Sequence, residues 1–269
     1  MNIETHPERL LDQLAAIARR AGRAILEWYD TDMGITRKAD DSPLTKADLA
    51  SHEVIAAALG ERWGEVPLLS EESAAIPWET RREWRQYWLV DPLDGTKEFI
   101  NRNGEFTVNI ALIRDHRPVL GVVHVPVTGT TFLGAVGAGA WCSRAGAETS
   151  AITVRRPAAE PAVIVGSRSH ANPELAASLE MLGPHELTSM GSSLKFCRIA
   201  EGQADFYPRM GPTCEWDTAA AQAVVEAAGG QVVTADGAAL TYNRKEAYLN
   251  PHFFVFGDPA RDWLAPFAD

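Results

Sequence analysis

The stretch WLVDPLDGTKEF, residues 88–99, governs how the rest of the chain is read. Trp88, Leu89 and Val90 form an apolar run that reads as the end of a buried strand, bounded by Pro92. Asp91 and Asp94 stand where that strand emerges, and Gly95 permits a tight backbone turn. Carboxylates crowded at a strand end repel one another unless something positive lies between them. A turn accounts for one aspartate, whereas two together point to a cation.

Upstream of this stretch the chain alternates helix and strand. Leu10, Leu14, Ile17, Ala21 and Ala24 recur at helical spacing, with Thr5 and Glu8 at capping-box distance and Pro7 in the first turn. A polar segment leads to a second helix in LTKADLASHEVIAAAL, expected to end near Gly60. EVPLLSEES then reads as a short strand running into Glu71 and Glu72. From residue 104 to 142, β-branched apolar runs separated by turn residues read as successive, antiparallel strands. ITVRRPAAEPAVIVGSRSH marks a boundary, dividing the chain into an α+β part over 1–157 and an α/β part over 158–269. Trp63, Trp78, Trp84 and Trp141 read as packing residues.

The 269 residues are 46% apolar and 23% charged, the composition of a globular chain with a sizeable core. A net charge of −11 argues against nucleic acid as a partner, because neutralising phosphates needs a basic face. A small anionic substrate remains compatible if bound metal reverses the local sign. Cys142, Cys197 and Cys214 have no C-x-x-C spacing and read as reduced thiols of a cytoplasmic protein. Neither a signal peptide nor a membrane span is expected.

Acidic or hydroxyl side chains stand at four apparent element ends: Asp48; Glu71 and Glu72; Asp91, Asp94 and Thr96; and Asp217. Oxygen donors without His or Cys suit Mg²⁺ rather than zinc. A haloacid-dehalogenase-type phosphatase also sets aspartates after an apolar strand, but in D-x-D spacing. The D-P-L-D spacing here would misplace its acid. For Asp217 a helix N-cap role is compatible with metal binding, and Glu72 reads as a surface neighbour.

DPLDGT, with SEES before it and WD plus an alanine-rich helix well after, resembles the inositol monophosphatase superfamily. VDPLDGTKEFINRNGEFTVNIALI, SRSH, GSSLKFC and YPRMGPTCEWDTAA narrow the likeness to the bacterial 3′(2′),5′-bisphosphate nucleotidases, the CysQ branch, over residues 8–256. The resemblance implies a layered αβαβα sandwich and Mg²⁺-dependent, lithium-sensitive hydrolysis of adenosine 3′,5′-bisphosphate to AMP and phosphate. The sulfated analogue is a further substrate in some members.

It also implies that Glu71, Asp91 and the Leu93 carbonyl hold one Mg²⁺, and that Asp91, Asp94 and Asp217 hold a second, in a site of two or three ions. Thr96 with Asp48 would orient and deprotonate the attacking water. Gly95 and Thr96 N–H groups, with Ser192 of GSSLK, would meet phosphate oxygens. Lys195 and Arg209 are the leading candidates for a second phosphate, with Arg168 and His170 next; each is otherwise an ordinary surface charge. A monomer or homodimer, cytoplasmic or peripheral on the inner membrane, belongs to the same implication. An inositol or sugar monophosphatase is the nearest alternative, although DGTKEF differs from the DGTTNF more frequent there. A non-catalytic phosphate-binding regulator would show loss of a metal ligand, and none is lost.

Overall fold

Of the apolar stripe spaced three and four residues apart, Leu10, Leu14, Ile17 and Ala21 are enclosed in the buried face of helix α1 (Pro7–Tyr29); Ile25 continues that face, and Ala24 is only half-buried. The protein is described here from a computed structural model, over residues 7–31, 34–37, 43–167 and 178–267. The Thr5–Glu8 pairing therefore lies outside the described residues. A short hairpin, β1 (Thr36–Arg37) with β2 (Pro43–Leu44), precedes helix α2 (Lys46–Trp63). Thr45 caps α2: its hydroxyl accepts from the Ala47 N–H at 3.2 Å, and the Asp48 carboxylate accepts from the Thr45 N–H at 2.7 Å. The helix runs past Gly60, the expected stop, because Trp63 in its last turn packs on Trp88 with ring centroids 5.4 Å apart.

Seven strands follow in one sheet whose spatial order is the chain order: β3 (Leu68–Ser70), β4 (Gln86–Asp94), β5 (Thr107–Arg114), β6 (Arg117–Val125), β7 (Thr130–Ala135), β8 (Gly139–Ser143) and β9 (Ser150–Ile152). Only β3 and β4 run parallel; the later pairings are antiparallel, as the sequence from 104 to 142 predicts. Side chains alternate across the sheet. Trp88, Val90, Ile110, Leu112 and Val122 meet α1 and α2, while Tyr87, Leu89, Ala111, Ile113 and Val123 face the other way. Burial on both faces explains why these strands read as nearly unbroken apolar runs. Short helices α3 (Trp78–Arg81) and α4 (Thr96–Ile100) flank β4.

The second sheet has the order β11-β10-β12-β14-β13. Its strands are β10 (Ala162–Ser167), β11 (His185–Met190), β12 (Phe206–Arg209), β13 (Gln231–Thr234) and β14 (Phe253–Phe256), interleaved with helices α5 (Leu194–Ala200) and α6 (Glu215–Ala227). Both helices lie between the sheets, where Phe196, Ala220, Val224, Tyr207 and Phe253 join Leu89 and Val123 in one core. Leu179, Trp263 and Phe267 cover the far face through Ile164, Phe206 and Phe254. The layering is thus the expected αβαβα.

Two paired glycines let α6 press onto the first sheet. Gly121 and Gly134 are cross-strand partners on β6 and β7. A Cβ at Gly134 would lie 2.5 Å from the Val224 Cα, and one at Gly121 would overlap the Ala220 carbonyl oxygen. The close approach carries the N-terminus of α6, and Asp217 with it, towards the end of β4.

Candidate active site

Strand β4 does not stop at Pro92. It pairs with β5 through Asp91↔Asn109 and again at Asp94↔Thr107, with a register shift between them. Proline, which has no N–H to give, falls in that shift, so the ladder loses no bond it would otherwise make. The irregular segment is fixed from behind: Ser51 on α2 donates to the Pro92 carbonyl at 2.7 Å, and the Leu93 N–H donates to Asp91 Oδ1 at 3.0 Å. Asp91 is buried as a result.

Asp94, at the end of the strand, is held by three donors. Its Oδ2 accepts from the Ser193 N–H at 2.6 Å, from Asn109 Nδ2 at 3.2 Å and from Thr107 Oγ1 at 3.3 Å. Ser193 Oγ in turn donates to Asn109 Oδ1 at 3.0 Å. Burial raises the Asp94 pKa despite the opposing pull of Lys195.

Gly95, at a φ of 93° that favours glycine, turns the chain into α4. The next residue, Thr96, places Oγ1 3.2 Å from Asp48 Oδ1 and 3.4 Å from the Leu93 carbonyl oxygen. Asp48 is itself anchored, its other oxygen accepting from the Thr45 N–H and from Thr45 Oγ1 at 2.6 Å.

Glu71 begins a 3₁₀ turn directly after β3, whose parallel register sets Ser70 beside Val90. The residue that follows is thereby level with Asp91. Asp217 is the third residue of α6, not its N-cap. Cys214 caps the helix, and its N–H donates to Asp217 Oδ2 at 2.8 Å. Burial first, then repulsion from Asp94 and Glu71, pushes the Asp217 pKa well up.

Glu71, Asp91, Asp94, Thr96 and Asp217 all line one cavity of about 260 Å³, together with Leu93, Gly95 and Ser192. Lys195 and Arg209 line it too. The Lys195 ammonium donates to the Ser192 carbonyl at 2.5 Å and to the Met190 carbonyl at 3.2 Å, and burial brings its pKa down to about 8. Arg209 donates from one amino group to the Pro212 carbonyl at 2.8 Å, while its buried Nε has no hydrogen-bond partner among the described residues. Asp48 stands behind Thr96 rather than on the cavity wall, and Glu72 does not line it. Arg168 and His170 lie outside the described residues.

Among the described residues, no three His, Cys, Asp or Glu side chains are gathered into one ready coordination group. The donor set nevertheless fits a hard cation, being composed only of oxygen. Half-buried carboxylates that repel one another, as Asp217 does with Asp94 and Glu71, are also the groups a cation would relieve. Thr107, Asn109 and Ser193 were not anticipated from sequence. The first two carry a usable signal, since they are alternate polar residues in the otherwise apolar TVNIALI and so share one face of β5.

The model of the inositol monophosphatase family matches residues 6–254. The chain is 52% identical over 248 residues to the 3′(2′),5′-bisphosphate nucleotidase CysQ of Escherichia coli strain K12, covering 91% of this chain and 99% of that protein. Against the protein of the same name from Haemophilus influenzae it is 35% identical, covering 97% of each. The crystal structure of CysQ from Bacteroides thetaiotaomicron superposes with a TM-score of 0.82 at 41% identity, covering 97% of this chain and 100% of that one. The chain belongs to the inositol monophosphatase family, in its CysQ-type branch.

Proposed function

We propose that this chain is a Mg²⁺-dependent phosphatase that removes the 3′-phosphate of adenosine 3′,5′-bisphosphate, giving AMP and inorganic phosphate. The observation that carries this reading is the Thr96–Asp48 hydrogen bond at a cavity walled by Glu71, Asp91, Asp94 and Asp217. The names of the relatives supply the substrate class.

Glu71, Asp91, Asp94, Asp217 and the Leu93 carbonyl are the oxygens that would hold two or three ions. Bound Mg²⁺ supplies positive charge that offsets these carboxylates and the phosphate oxygens and makes water easier to deprotonate. Thr96 donates its proton to Asp48, leaving its own oxygen as an acceptor for a proton from the attacking water. The water oxygen forms a bond to phosphorus as the bond to the ribose 3′-oxygen breaks; that oxygen takes a proton from solvent to become the hydroxyl of AMP, while the proton lost by the attacking water passes by way of Thr96 and Asp48 to solvent. The N–H groups of Gly95 and Thr96 would steady the phosphate. Lys195 and Arg209, on α5 and β12, would meet the second phosphate. The protein would act as a monomer or homodimer in the cytoplasm; none of the described helices is long and apolar enough to cross a membrane.

Phosphate release from a panel containing adenosine 3′,5′-bisphosphate, 3′-AMP and inositol 1-phosphate tests this reading. The bisphosphate should show the highest kcat/KM. A hydrogen bond to a charged group contributes about 1.5–3 kcal/mol. Arg209→Met or Lys195→Met should therefore lower kcat/KM for the bisphosphate about ten- to a hundredfold and hardly change it for 3′-AMP. A preference for inositol 1-phosphate would overturn the substrate assignment.

A further inference from the structure

Glu71 and Asp217 face the same cavity from elements far apart in the chain, and carboxylates that share a cavity push each other away. Something must hold the 3₁₀ turn of Glu71 and the N-terminus of α6 at a fixed separation. The segment 243–250, an irregular stretch between β13 and β14, touches both.

On the Glu71 side, Tyr248 Oη donates to the carbonyl of Ala74, the residue that closes the 3₁₀ turn, at 2.6 Å. The Arg81 guanidinium lies 4.3 Å from the Tyr248 ring centroid and donates to Asn243 Oδ1 at 2.6 Å and to the Lys245 and Glu246 carbonyls. Asn243 Nδ2 returns a hydrogen bond to the Arg81 carbonyl at 2.5 Å. On the Asp217 side, the Glu215 N–H donates to the Tyr248 carbonyl at 2.9 Å. The Trp216 ring packs on the Tyr248 ring at 5.0 Å. Asn250 Nδ2 donates to the Cys214 carbonyl at 2.9 Å and to Thr218 Oγ1 at 3.1 Å. The Asn243 N–H donates to both oxygens of Glu215 at 2.9 Å.

We infer that segment 243–250 is a strap that sets the Glu71–Asp217 separation, with Tyr248 as the positioning residue whose hydroxyl ties the two halves of the metal site together. Tyr248 does not line the cavity, so it acts only through the residues it holds. Its backbone carbonyl and ring fix α6, while its hydroxyl bonds the residue that closes the Glu71 turn. Removing that hydroxyl loosens the hold on the Glu71 turn and leaves the ring stack and the Arg81 contacts in place. The cost should then fall on the affinity for the cation, which needs both carboxylates in place, and not on the proton transfers at Thr96.

The inference rests on the proposed Mg²⁺ site, and calorimetric titration of the metal-stripped protein with Mg²⁺ separates the two. Wild type should take up Mg²⁺, and Tyr248→Phe should bind it about five- to tenfold more weakly, as loss of one hydrogen bond predicts. At saturating Mg²⁺ the variant should keep its kcat and its KM for adenosine 3′,5′-bisphosphate within about twofold. Asn250→Ala, which loosens the strap from the other side, should raise the Mg²⁺ dissociation constant in the same direction. Unchanged Mg²⁺ affinity in both variants would overturn the strap while leaving the site. A kcat lost at saturating metal with affinity intact would also overturn it. Wild type that takes up no Mg²⁺ would overturn the site itself, and the strap with it.

Discussion

Thr96 and Asp48 act as one unit in the proposed mechanism, because the threonine hydroxyl has a single proton and Asp48 is the nearer of its two acceptors. Thr96→Ala should lower kcat by about a hundredfold or more with little change in KM, within the usual range for general acid–base groups. Asp48→Asn should do the same, and the double variant should lose little beyond either single one. Losses that multiply would show that the two side chains act separately. At this scale the sequence is informative where chemistry is local. Asp91, Asp94, Gly95 and Thr96 declare themselves by adjacency. Ser193, whose N–H makes the shortest of the Asp94 hydrogen bonds, stands 99 residues away and has no local signature. Arg81 is equally silent: a buried arginine reads as surface charge until its partners, more than 160 residues distant, are folded against it.

The elements were legible where apolar period and breaker agree, and misjudged where tertiary packing overrides a breaker. Helix α2 passes Gly60 because Trp63 has a partner in Trp88, and β4 passes Pro92 because a register shift absorbs the missing donor. The helix that carries Asp217 was expected from its alanines, but its intimate seat on β6 and β7 depends on glycines that read only as weak spots in strands. Gly121→Ala places a methyl against the Ala220 carbonyl and should force α6 off the sheet. Overpacking of this kind costs about 1–3 kcal/mol, so Tm should fall by several degrees. Calorimetric melting checks this. An unchanged Tm would mean that α6 does not lie as close to the sheet as the structure places it.

For the whole molecule, the alternation of strands and helices identified an α/β chain, whereas the order of the layers followed from family resemblance and not from periodicity. Hydrophobic period says which face of an element is buried but not against what. The site depends on that missing information. Asp91 and Asp94 come from the first sheet, Asp217 from a helix between the sheets, and Lys195 and Arg209 from the second half of the chain. A net charge of −11 with five carboxylates (Glu71, Asp91, Asp94, Glu98 and Asp217) lining one cavity would repel a bisphosphate if nothing offset it. The most direct test of the account is therefore phosphate release from adenosine 3′,5′-bisphosphate by protein stripped of metal and then resupplied with Mg²⁺. Release should cease after stripping and recover on adding Mg²⁺; full-rate release from metal-free protein would rule out metal-dependent hydrolysis.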